Sequence, residues 1–311
     1  MIEVKNLSRH FGHIAAVENV SFTVQKGDVL GFLGPNGAGK STTMRMITGY
    51  IPPTSGTAII GGFDICEEPL KAREKIGYLS ETVPVYHDMS VTGFLKFCGE
   101  IRGFYGKENK KKVSEIIEKC FLKEVVNQNI GTLSKGYRQR VCFAQSIIHD
   151  PEYLILDEPT DGLDPNQKHV VRQMIREMSG TKAIILSTHI LEEMDAVCNR
   201  AVLISKGRIV VDETPDELRS RSVLHNSITM EIEASDVEKA MGAMEKIEGV
   251  KEVQILERMP DSTTVRVHPS DRSKSISVDV SHAMAHMGVS LLSFHVEHGR
   301  LNEVFRQLTS N

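Results

Sequence analysis

A glycine-rich segment at residues 34–42 carries the clearest chemistry in this sequence. It reads GPNGAGKST and directly follows the apolar run Val29–Leu33. Glycines permit a tight turn that points backbone N–H groups inward, so phosphates bind at the N-terminus of the helix that begins near Lys40. Lys40 would reach the β- and γ-phosphates, and Ser41 would ligate Mg²⁺. The predicted nucleoside triphosphate site comprises Asn36, Gly37, Gly39, Lys40, Ser41 and Thr42.

A second segment pairs two carboxylates at the end of a predicted strand. The apolar run Tyr153–Leu156 is followed by Asp157 and Glu158. Adjacent residues at a strand end point to opposite sides, so Asp157 can face Mg²⁺ while Glu158 polarises the attacking water. Paired acids after a strand are often only a solvated turn, but the upstream phosphate loop favours a hydrolytic site.

Residues 133–140 read LSKGYRQR and precede apolar residues at helical spacing. They resemble the Leu-Ser-Gly-Gly-Gln signature of the ABC ATPases, because Leu133, Ser134 and Gly136 match, although Lys and Tyr stand at the third and fifth positions. In that family the signature serine and second glycine touch the γ-phosphate of ATP held by the opposite subunit. The resemblance therefore assigns this role to Ser134 and Gly136. Taken alone, the segment would be the capped start of a surface helix.

Further matches to this family follow in its own order along residues 2–215. Phe11 stands where the family has an aromatic ring that stacks on adenine, and the sequence GLDP at 162–165 resembles the D-loop that links two ATP sites. His189 follows the strand-like run 183–188, where the family's switch histidine contacts the γ-phosphate. In isolation these residues would be a core aromatic, an Asp-Pro turn and a solvated histidine.

The sequence departs from the family at the Q-loop. Glu81 replaces the glutamine whose amide oxygen normally reaches Mg²⁺. The carboxylate retains an oxygen ligand, so the resemblance implies a metal set of Ser41, Asp157 and Glu81. It also places another negative charge beside the triphosphate, which affects metal affinity.

Composition indicates a globular protein and disfavours other classes. A length of 311 residues suggests about two domains, and 37 basic against 41 acidic residues give a net charge of −4, which disfavours a dedicated nucleic-acid binder. No run approaches the roughly 20 apolar residues that cross a bilayer, and residues 1–5 lack the pattern of a signal peptide. We expect a chain that does not form a channel by itself.

Cysteine and histidine spacings do not favour a disulfide framework or a metal centre. The five cysteines are odd in number and widely spaced, which predicts reduced thiols in the core or at the surface. His282 and His286 lie four residues apart on a predicted helix, a spacing that permits a metal. A solvated helix face is the simpler interpretation, because no acidic or cysteine cluster completes the ligand set.

The elements that must position the site residues predict an α/β fold. A hairpin over residues 2–25 contributes to a β-rich subdomain, and the strands before the phosphate loop, before Asp157 and before His189 belong to a mostly parallel sheet. Residues 84–150 are predicted to be mainly helical. Within them Ser90 or Thr92 caps a helix, and its predicted apolar face contains Phe94, Leu95, Cys98 and Ile101.

A second pattern begins after residue 218. The order of predicted elements is βαββαβ, which indicates a ferredoxin-like α+β domain and resembles the small C-terminal extension of ATP-binding subunits in type-2 ABC exporters. We predict a P-loop ABC ATPase domain at 1–218 with β-rich and helical subdomains, a linker at 219–226 and an accessory domain at 227–311.

The resemblance implies an ATP-binding and ATP-hydrolysing subunit of an ABC exporter, similar to those for drugs, sodium, polysaccharides or gliding motility. Two copies would form a head-to-tail homodimer around two ATP molecules with Mg²⁺, with Glu158 and His189 as catalytic residues. Two membrane-spanning permease subunits encoded separately would hold the cargo and contact residues 83–89. The chain would then be cytoplasmic and peripheral on the inner face of the cell membrane, with no nucleic acid as partner.

Two alternatives stay open from the residues. One is a soluble ABC ATPase that acts as a mechanical regulator on nucleic acid or ribosomes, and the other is a scaffold that binds ATP without hydrolysis. Translation-factor members carry two ATPase units and repair members insert a long coiled coil, whereas this sequence has one unit and no heptad run. The presence of Glu158 and His189 disfavours the scaffold.

Overall fold

The computed structural model describes residues 1–82 and 84–309. The chain divides into two compact units, Met1–Pro215 and Asp216–Asn311. Each unit has its own cluster of buried apolar side chains. The domain boundaries drawn from sequence stay a prediction.

The strands of the first unit build two sheets. In chain order they are β1 (Ile2–Phe11), β2 (Ile14–Val24), β3 (Val29–Leu33), β4 (Ser55–Ile60), β5 (Phe63–Asp64), β6 (Ile76–Leu79), β7 (Tyr153–Asp157), β8 (Ala183–Thr188), β9 (Arg200–Ser205) and β10 (Arg208–Glu213). One sheet is antiparallel in the order β2-β1-β4-β5, and the other has the order β10-β9-β3-β8-β7-β6. The larger sheet is parallel except for its β10–β9 pair. The predicted α/β fold with a β-rich subdomain is confirmed.

Helices of the first unit cover the larger sheet and form a helical region. They are α1 (Lys40–Ile47), α2 (Pro69–Glu74), α3 (Val91–Ile101), α4 (Gly106–Lys119), α5 (Lys135–Ile147), α6 (Pro165–Ser179) and α7 (Leu191–Val197). Every residue of β3, β7 and β8 is buried, because these strands share an apolar cluster with α1 and the smaller sheet, and Gly31 of β3 lies against Met194 of α7. The apolar runs in the sequence therefore correspond to the central strands.

Parallel pairing aligns the ends of the three central strands. Leu33 at the end of β3 pairs with Thr188 at the end of β8, and Asp157 at the end of β7 pairs with Ser187. Because the carboxyl ends of parallel strands share one edge of the sheet, the segments that follow them converge there. This register brings residues 34–42, 157–158 and 188–189 to the same edge.

Helix α3 differs from its predicted packing at one position. Ser90 caps it by accepting a hydrogen bond from the Gly93 N–H at 3.1 Å, as expected. Ile101, which the periodicity placed on the apolar face, is 68% exposed. Helix α4 contacts α3 before Ile101, where the Asn109 side chain lies against Gly99 and donates to the Lys96 carbonyl, so the end of α3 extends beyond this contact. The prediction for Ile101 was wrong because periodicity does not show where the covering helix ends.

The cysteines are all free thiols, as the spacing predicted. Cys66 is exposed and the other four are buried. Burial raises the pKa of Cys98, Cys120 and Cys142 to about 12 and also raises that of Cys198. No group of three or more His, Cys, Asp or Glu side chains suited to a metal occurs among the described residues.

The second unit has the predicted βαββαβ order. After helix α8 (Pro215–Ser220), its elements are β11 (Ile228–Glu233), α9 (Val237–Met244), β12 (Val250–Arg258), β13 (Ser262–Pro269), α10 (Ser277–Met287), β14 (Leu291–Val296) and α11 (Leu301–Thr309). The sheet order is β12-β13-β11-β14 with antiparallel neighbours, and α9 and α10 cover one face through Ala240, Met244, Val280 and Met284. The ferredoxin-like fold is confirmed. His282 and His286 are exposed on α10.

Candidate functional site

The turn between β3 and α1 requires glycine at specific positions. Gly37 has φ +80° and Gly39 has φ +109°, which L side chains rarely adopt. A Cβ on Gly39 would lie 2.6 Å from the Ala16 carbonyl oxygen, whereas one on Gly37 would meet nothing within 4 Å. Packing against the neighbouring hairpin therefore fixes the turn at Gly39, and α1 begins at the next residue.

Lys40 is held under this turn. Its side chain is 6% exposed, and Nζ donates hydrogen bonds to the carbonyl oxygens of Gly34 at 2.8 Å and Pro35 at 3.3 Å. Nζ also lies 3.6 Å from Glu158 Oε1. The ammonium group is thus positioned at the P-loop, where it can bind phosphate oxygens.

Asp157 combines complete burial with an unsatisfied oxygen. Its Oδ1 accepts hydrogen bonds from the hydroxyls of Ser187 and, at 3.3 Å, Ser41, but its Oδ2 has no hydrogen-bond partner among the described residues. Burial raises the pKa of this carboxyl group, and the two serine hydrogen bonds oppose that rise. An unpaired oxygen on a buried acid beside a serine hydroxyl is a donor set that suits Mg²⁺.

Glu158 directly follows Asp157 and contacts His189. Its φ of +49° aligns the backbone so that its N–H donates to the Ser187 carbonyl at 3.1 Å and to the Ser187 hydroxyl at 3.2 Å. His189 Nδ1 lies 3.0 Å from both carboxylate oxygens of Glu158. Glu158 therefore has two cationic or hydrogen-bonding neighbours, Lys40 and His189, and a carboxylate that can accept a proton.

These residues surround a cleft of about 270 Å³ at the edge of the sheet. Its described lining consists of Ala16, Asn36, Gly37, Gly39, Lys40, Ser41, Thr42, Glu81 and Glu158. The structure thus brings the predicted loop residues together with Glu81, the acid that replaces the Q-loop glutamine. Asp157 and His189 adjoin the cleft through their contacts with Ser41 and Glu158.

Three predicted nucleotide contacts are not among the described residues that line the cleft. Phe11 lies at the end of β1, is 47% exposed, and has the Arg9 guanidinium 4.7 Å above its ring. An exposed ring face is suited to stacking on a base, and Arg9 stacks there in this structure.

The other two, Ser134 and Gly136, belong to the start of α5. Ser134 is the exposed N-cap, whose hydroxyl accepts a hydrogen bond from the Tyr137 N–H at 3.4 Å. Gly136 is buried against Gln167, since a Cβ there would lie 2.7 Å from Oε1. Lys135 between them forms an ion pair with Asp161 at 3.6 Å, with both side chains more than half exposed. Ser134 and Lys135 are thus exposed, and neither is among the described residues that line the cleft of their own chain.

Sequence reasoning missed Ser187 as a functional residue. Its hydroxyl contacts both Asp157 and the Glu158 backbone, so it fixes the two acids relative to β8. The available signal was a polar residue near the carboxyl end of a buried apolar strand, beside the strand that carries the acids.

Comparisons with known proteins identify the family of this chain. The ABC transporter family pattern matches residues 17–161. The linearmycin resistance ATP-binding protein LnrL of Bacillus subtilis (strain 168) is 31% identical over 311 residues, which cover 99% of this chain and 98% of that protein. The Nod factor export ATP-binding protein I of Cupriavidus metallidurans is 34% identical over 219 residues, 70% of this chain and 72% of that protein. A solved ATP-binding subunit of an ABC transporter superposes with a TM-score of 0.65 at 30% identity, covering 70% of this chain and 92% of that one.

Proposed function

Because this chain belongs to the ABC transporter family and is an ATP-binding ATPase, we propose that it is the ATP-hydrolysing subunit of an exporter and works as a head-to-tail homodimer. The observation that carries the dimer is the separation of two predicted half-sites. The phosphate loop and Glu158 line one cleft, whereas Ser134, the exposed N-cap of α5, is not among the described residues of that lining. A second copy would complete each site by placing its α5 N-terminus over the phosphates.

Each site residue has a role that its surroundings support. Lys40 and the loop amides bind the phosphates, Phe11 stacks on adenine, and Glu158 accepts a proton from the attacking water. His189 orients Glu158 and contacts the γ-phosphate. Closure of the second copy excludes water from the site and strengthens these electrostatic contacts.

The buried Asp157 with its unpaired Oδ2 fits Mg²⁺, and Ser41 and Glu81 would complete the protein's ligand set. Bound Mg²⁺ would neutralise charge on the β- and γ-phosphates. Asp157, Glu158 and Glu81 all lie at or beside the cleft, and Lys40 is the one lysine or arginine among the described residues that line it, so a divalent cation would offset the excess of acids.

The exporter assignment rests on relatives and on a surface groove. The name of LnrL contains the word resistance, and the name of the Nod factor protein contains the word export. Both are described as ATP-binding proteins. A groove of about 570 Å³ includes Ser80 and Thr82 on either side of Glu81, and Arg45 of α1, Arg73 and Pro84 also line it. We assign this groove to one of two separately encoded membrane-spanning permease subunits.

That groove includes part of the segment predicted to contact the permease. Pro84 lines it and Tyr86 is 57% exposed, whereas Val83 lies outside the described residues. None of the described helices is long and apolar enough to cross a bilayer. On this proposal the chain is held at the inner face of the cell membrane by its partner.

The first experiment measures the mass of Glu158→Gln protein in Mg-ATP by size-exclusion chromatography with light scattering. We expect about twice the monomer mass of 34.6 kDa, because the variant binds ATP and hydrolyses it at least about 100-fold more slowly. Lys40→Ala should stay monomeric because it loses tight nucleotide binding, and Glu177→Gln, an exposed acid, should behave as wild type. A monomeric Glu158→Gln protein with ATP bound would contradict the dimer.

The second experiment identifies the partner. Tagged Glu158→Gln protein loaded with Mg-ATP is recovered from gently solubilised membranes of the host. A stoichiometric protein with several long apolar spans supports the exporter. Recovery of ribosomes or nucleic acid would refute it in favour of a mechanical regulator.

A further inference from the structure

A basic and apolar surface lies at the turn between α3 and α4, which we call the α3–α4 tip and define as residues 101–112. Ile101 and Tyr105 are each 68% exposed, although both side chains are largely apolar. The backbone there is an ordered helix end, since the Phe104 N–H donates to the Gly99 carbonyl at 3.0 Å. Exposure of these two side chains is therefore built into the turn.

The same segment concentrates positive charge. The tip contains five basic residues against one acid, Glu108, and so has a net charge of +4, whereas the whole chain has −4. The basic residues are Arg102, Lys107, Lys110, Lys111 and Lys112. A local excess of this sign on an acidic protein creates a positive patch that attracts anions.

Helical spacing gathers three of the lysines. Lys107, Lys110 and Lys111 occupy positions i, i+3 and i+4 of α4, opposite the buried Asn109 and Val113. All three are exposed. Lys112 has a different role, because its ammonium lies 4.2 Å above the Phe104 ring and covers that aromatic residue.

We infer that the α3–α4 tip binds the surface of an anionic lipid bilayer. Lysines on flexible stems pair with phosphate headgroups, while Ile101 and Tyr105 enter the boundary between headgroups and acyl chains. A charged face alone is usually only solvated, and a lone exposed apolar residue is ordinary, but a bilayer satisfies both together. Single-stranded nucleic acid could use the Tyr105 ring and the lysines, but it would leave the aliphatic Ile101 without a partner, whereas a bilayer contacts both side chains.

The position of the tip is consistent with this partner. Arg102 belongs to the tip and also lines the 570 Å³ groove. The orientation toward the membrane rests on the proposed function, in which that groove holds a permease. The lipid contact itself needs no permease and is tested without one.

The test is co-sedimentation of the full chain with vesicles of phosphatidylcholine alone or mixed about two to one with phosphatidylglycerol. We expect binding to the anionic vesicles that falls as salt rises. Replacing Lys107, Lys110 and Lys111 together by alanine should lower the affinity about a hundredfold. The matched control removes three exposed lysines elsewhere, Lys239, Lys246 and Lys251, and should keep most of the binding.

A second variant tests the apolar contact. Ile101→Ser with Tyr105→Ser should lower binding about tenfold and leave its salt dependence unchanged. ATP hydrolysis and the melting temperature of both tip variants should match wild type, since these side chains are exposed and outside the cleft.

Three results would overturn the inference. The chain could show no preference for anionic vesicles, or the control triple variant could lose as much vesicle binding as the tip triple variant. The tip variants could also keep their vesicle binding and lose only the binding of a single-stranded oligonucleotide, measured in parallel. The dimer of Glu158→Gln is scored separately, so failure of lipid binding and failure of the proposed function give different results.

Discussion

At the scale of single residues, Asp157 carries an unresolved electrostatic conflict. Its carboxyl group is buried, its pKa is raised by that burial, and its Oδ2 lacks a partner in the described structure. Such a group costs stability when ionised unless a cation or donor joins it. The site is thus arranged to gain stability when a divalent cation binds with ATP.

This conflict predicts the thermal behaviour of Asp157→Asn. In wild type, ATP should raise the melting temperature more with Mg²⁺ than with a chelator, because the cation relieves the buried charge. In Asp157→Asn the difference between the two increments should be smaller, because only Ser41 and Glu81 of the proposed ligand set keep their side chains. The measurement is differential scanning fluorimetry across ATP concentrations, and an undiminished Mg²⁺ increment in the variant would contradict the assignment of Asp157 to the cation.

Glu81 predicts a second effect at this scale. Glu81→Gln removes a negative charge from the cleft, so affinity for ATP without Mg²⁺ should rise about two- to fivefold. With Mg²⁺ the gain should be smaller, because the carboxylate also attracts the cation. Calorimetric titration in chelator and in Mg²⁺ measures both values, and the exposed Glu177→Gln serves as control. If Glu81→Gln bound ATP more weakly than wild type in chelator, the proposed repulsion between Glu81 and the triphosphate would be contradicted.

Some of the site residues can be predicted from the sequence and others cannot. Lys40, Asp157 and Glu158 stand in local motifs whose spacing determines their chemistry, so they were predicted without a structure. Ser187 was not, because its importance depends on the pairing of β7 with β8, 30 residues apart in the chain. Local spacing does not encode which strands become neighbours.

At the scale of elements, the P-loop turn needs glycine for two reasons: a positive φ at Gly37 and Gly39, and a close backbone contact at Gly39. Gly37→Ala introduces only an unfavourable φ and should lower the free energy of unfolding by about 1 kcal/mol. Gly39→Ala adds a collision with the Ala16 carbonyl and should cost about 3 kcal/mol or more. Urea unfolding of the nucleotide-free variants gives both values. Equal losses would mean that the hairpin shifts freely to make room.

The connection from α5 to β7 contains His149, whose contact with β6 predicts a pH dependence of stability. His149 Nε2 donates to the Ile76 carbonyl at 3.0 Å, and burial, followed by the nearby Arg102 charge, lowers the pKa of His149 from 6.5 to about 4. The unfolded chain takes up a proton below pH 6.5 while the folded protein does not until about pH 4. Stability conferred by neutral His149 is thus present above pH 6.5 and decreases as the pH falls through this window.

The expected loss is about 2 kcal/mol, since one pKa unit corresponds to about 1.4 kcal/mol and partial exposure of the ring reduces the full value. His149→Gln keeps a donor for Ile76 and removes the titration. Urea unfolding of both proteins at neutral pH and near pH 4.5 measures the difference. If wild type and His149→Gln lost stability in parallel, another group would be responsible.

The elements themselves were largely predictable. Fully buried strands such as β3 and β8 have unbroken apolar runs, and Ser90 and Ser134 mark helix starts through their capping chemistry. The exposure of Ile101 was not predictable from the helical period. Helical periodicity specifies a face, but the length of that face which is covered depends on where α4 crosses α3.

At the scale of the whole molecule, the chain contains two units with separate apolar cores. The ATP cleft is built wholly within Met1–Pro215. A protein that ends after Pro215 should therefore fold and bind ATP within about threefold of the full-chain affinity, since a core that is complete in itself does not need the second unit.

Calorimetric ATP titration of the two proteins provides the measurement, with circular dichroism to verify folding. Loss of ATP affinity in a folded truncated protein would show that the second unit influences the cleft. The accessory unit would then be part of the nucleotide-binding mechanism.

Because one of the five thiols is exposed and four are buried, the native chain can be labelled at a single cysteine. Cys66 is accessible, whereas the other four are enclosed and, with their pKa raised, remain protonated at neutral pH and so react slowly. A maleimide spin label will consequently attach at one location per chain without any cysteine being removed. In a two-copy assembly, dipolar spectroscopy would then give a single inter-label distance, and nucleotide-driven closure could be followed in unmutated protein.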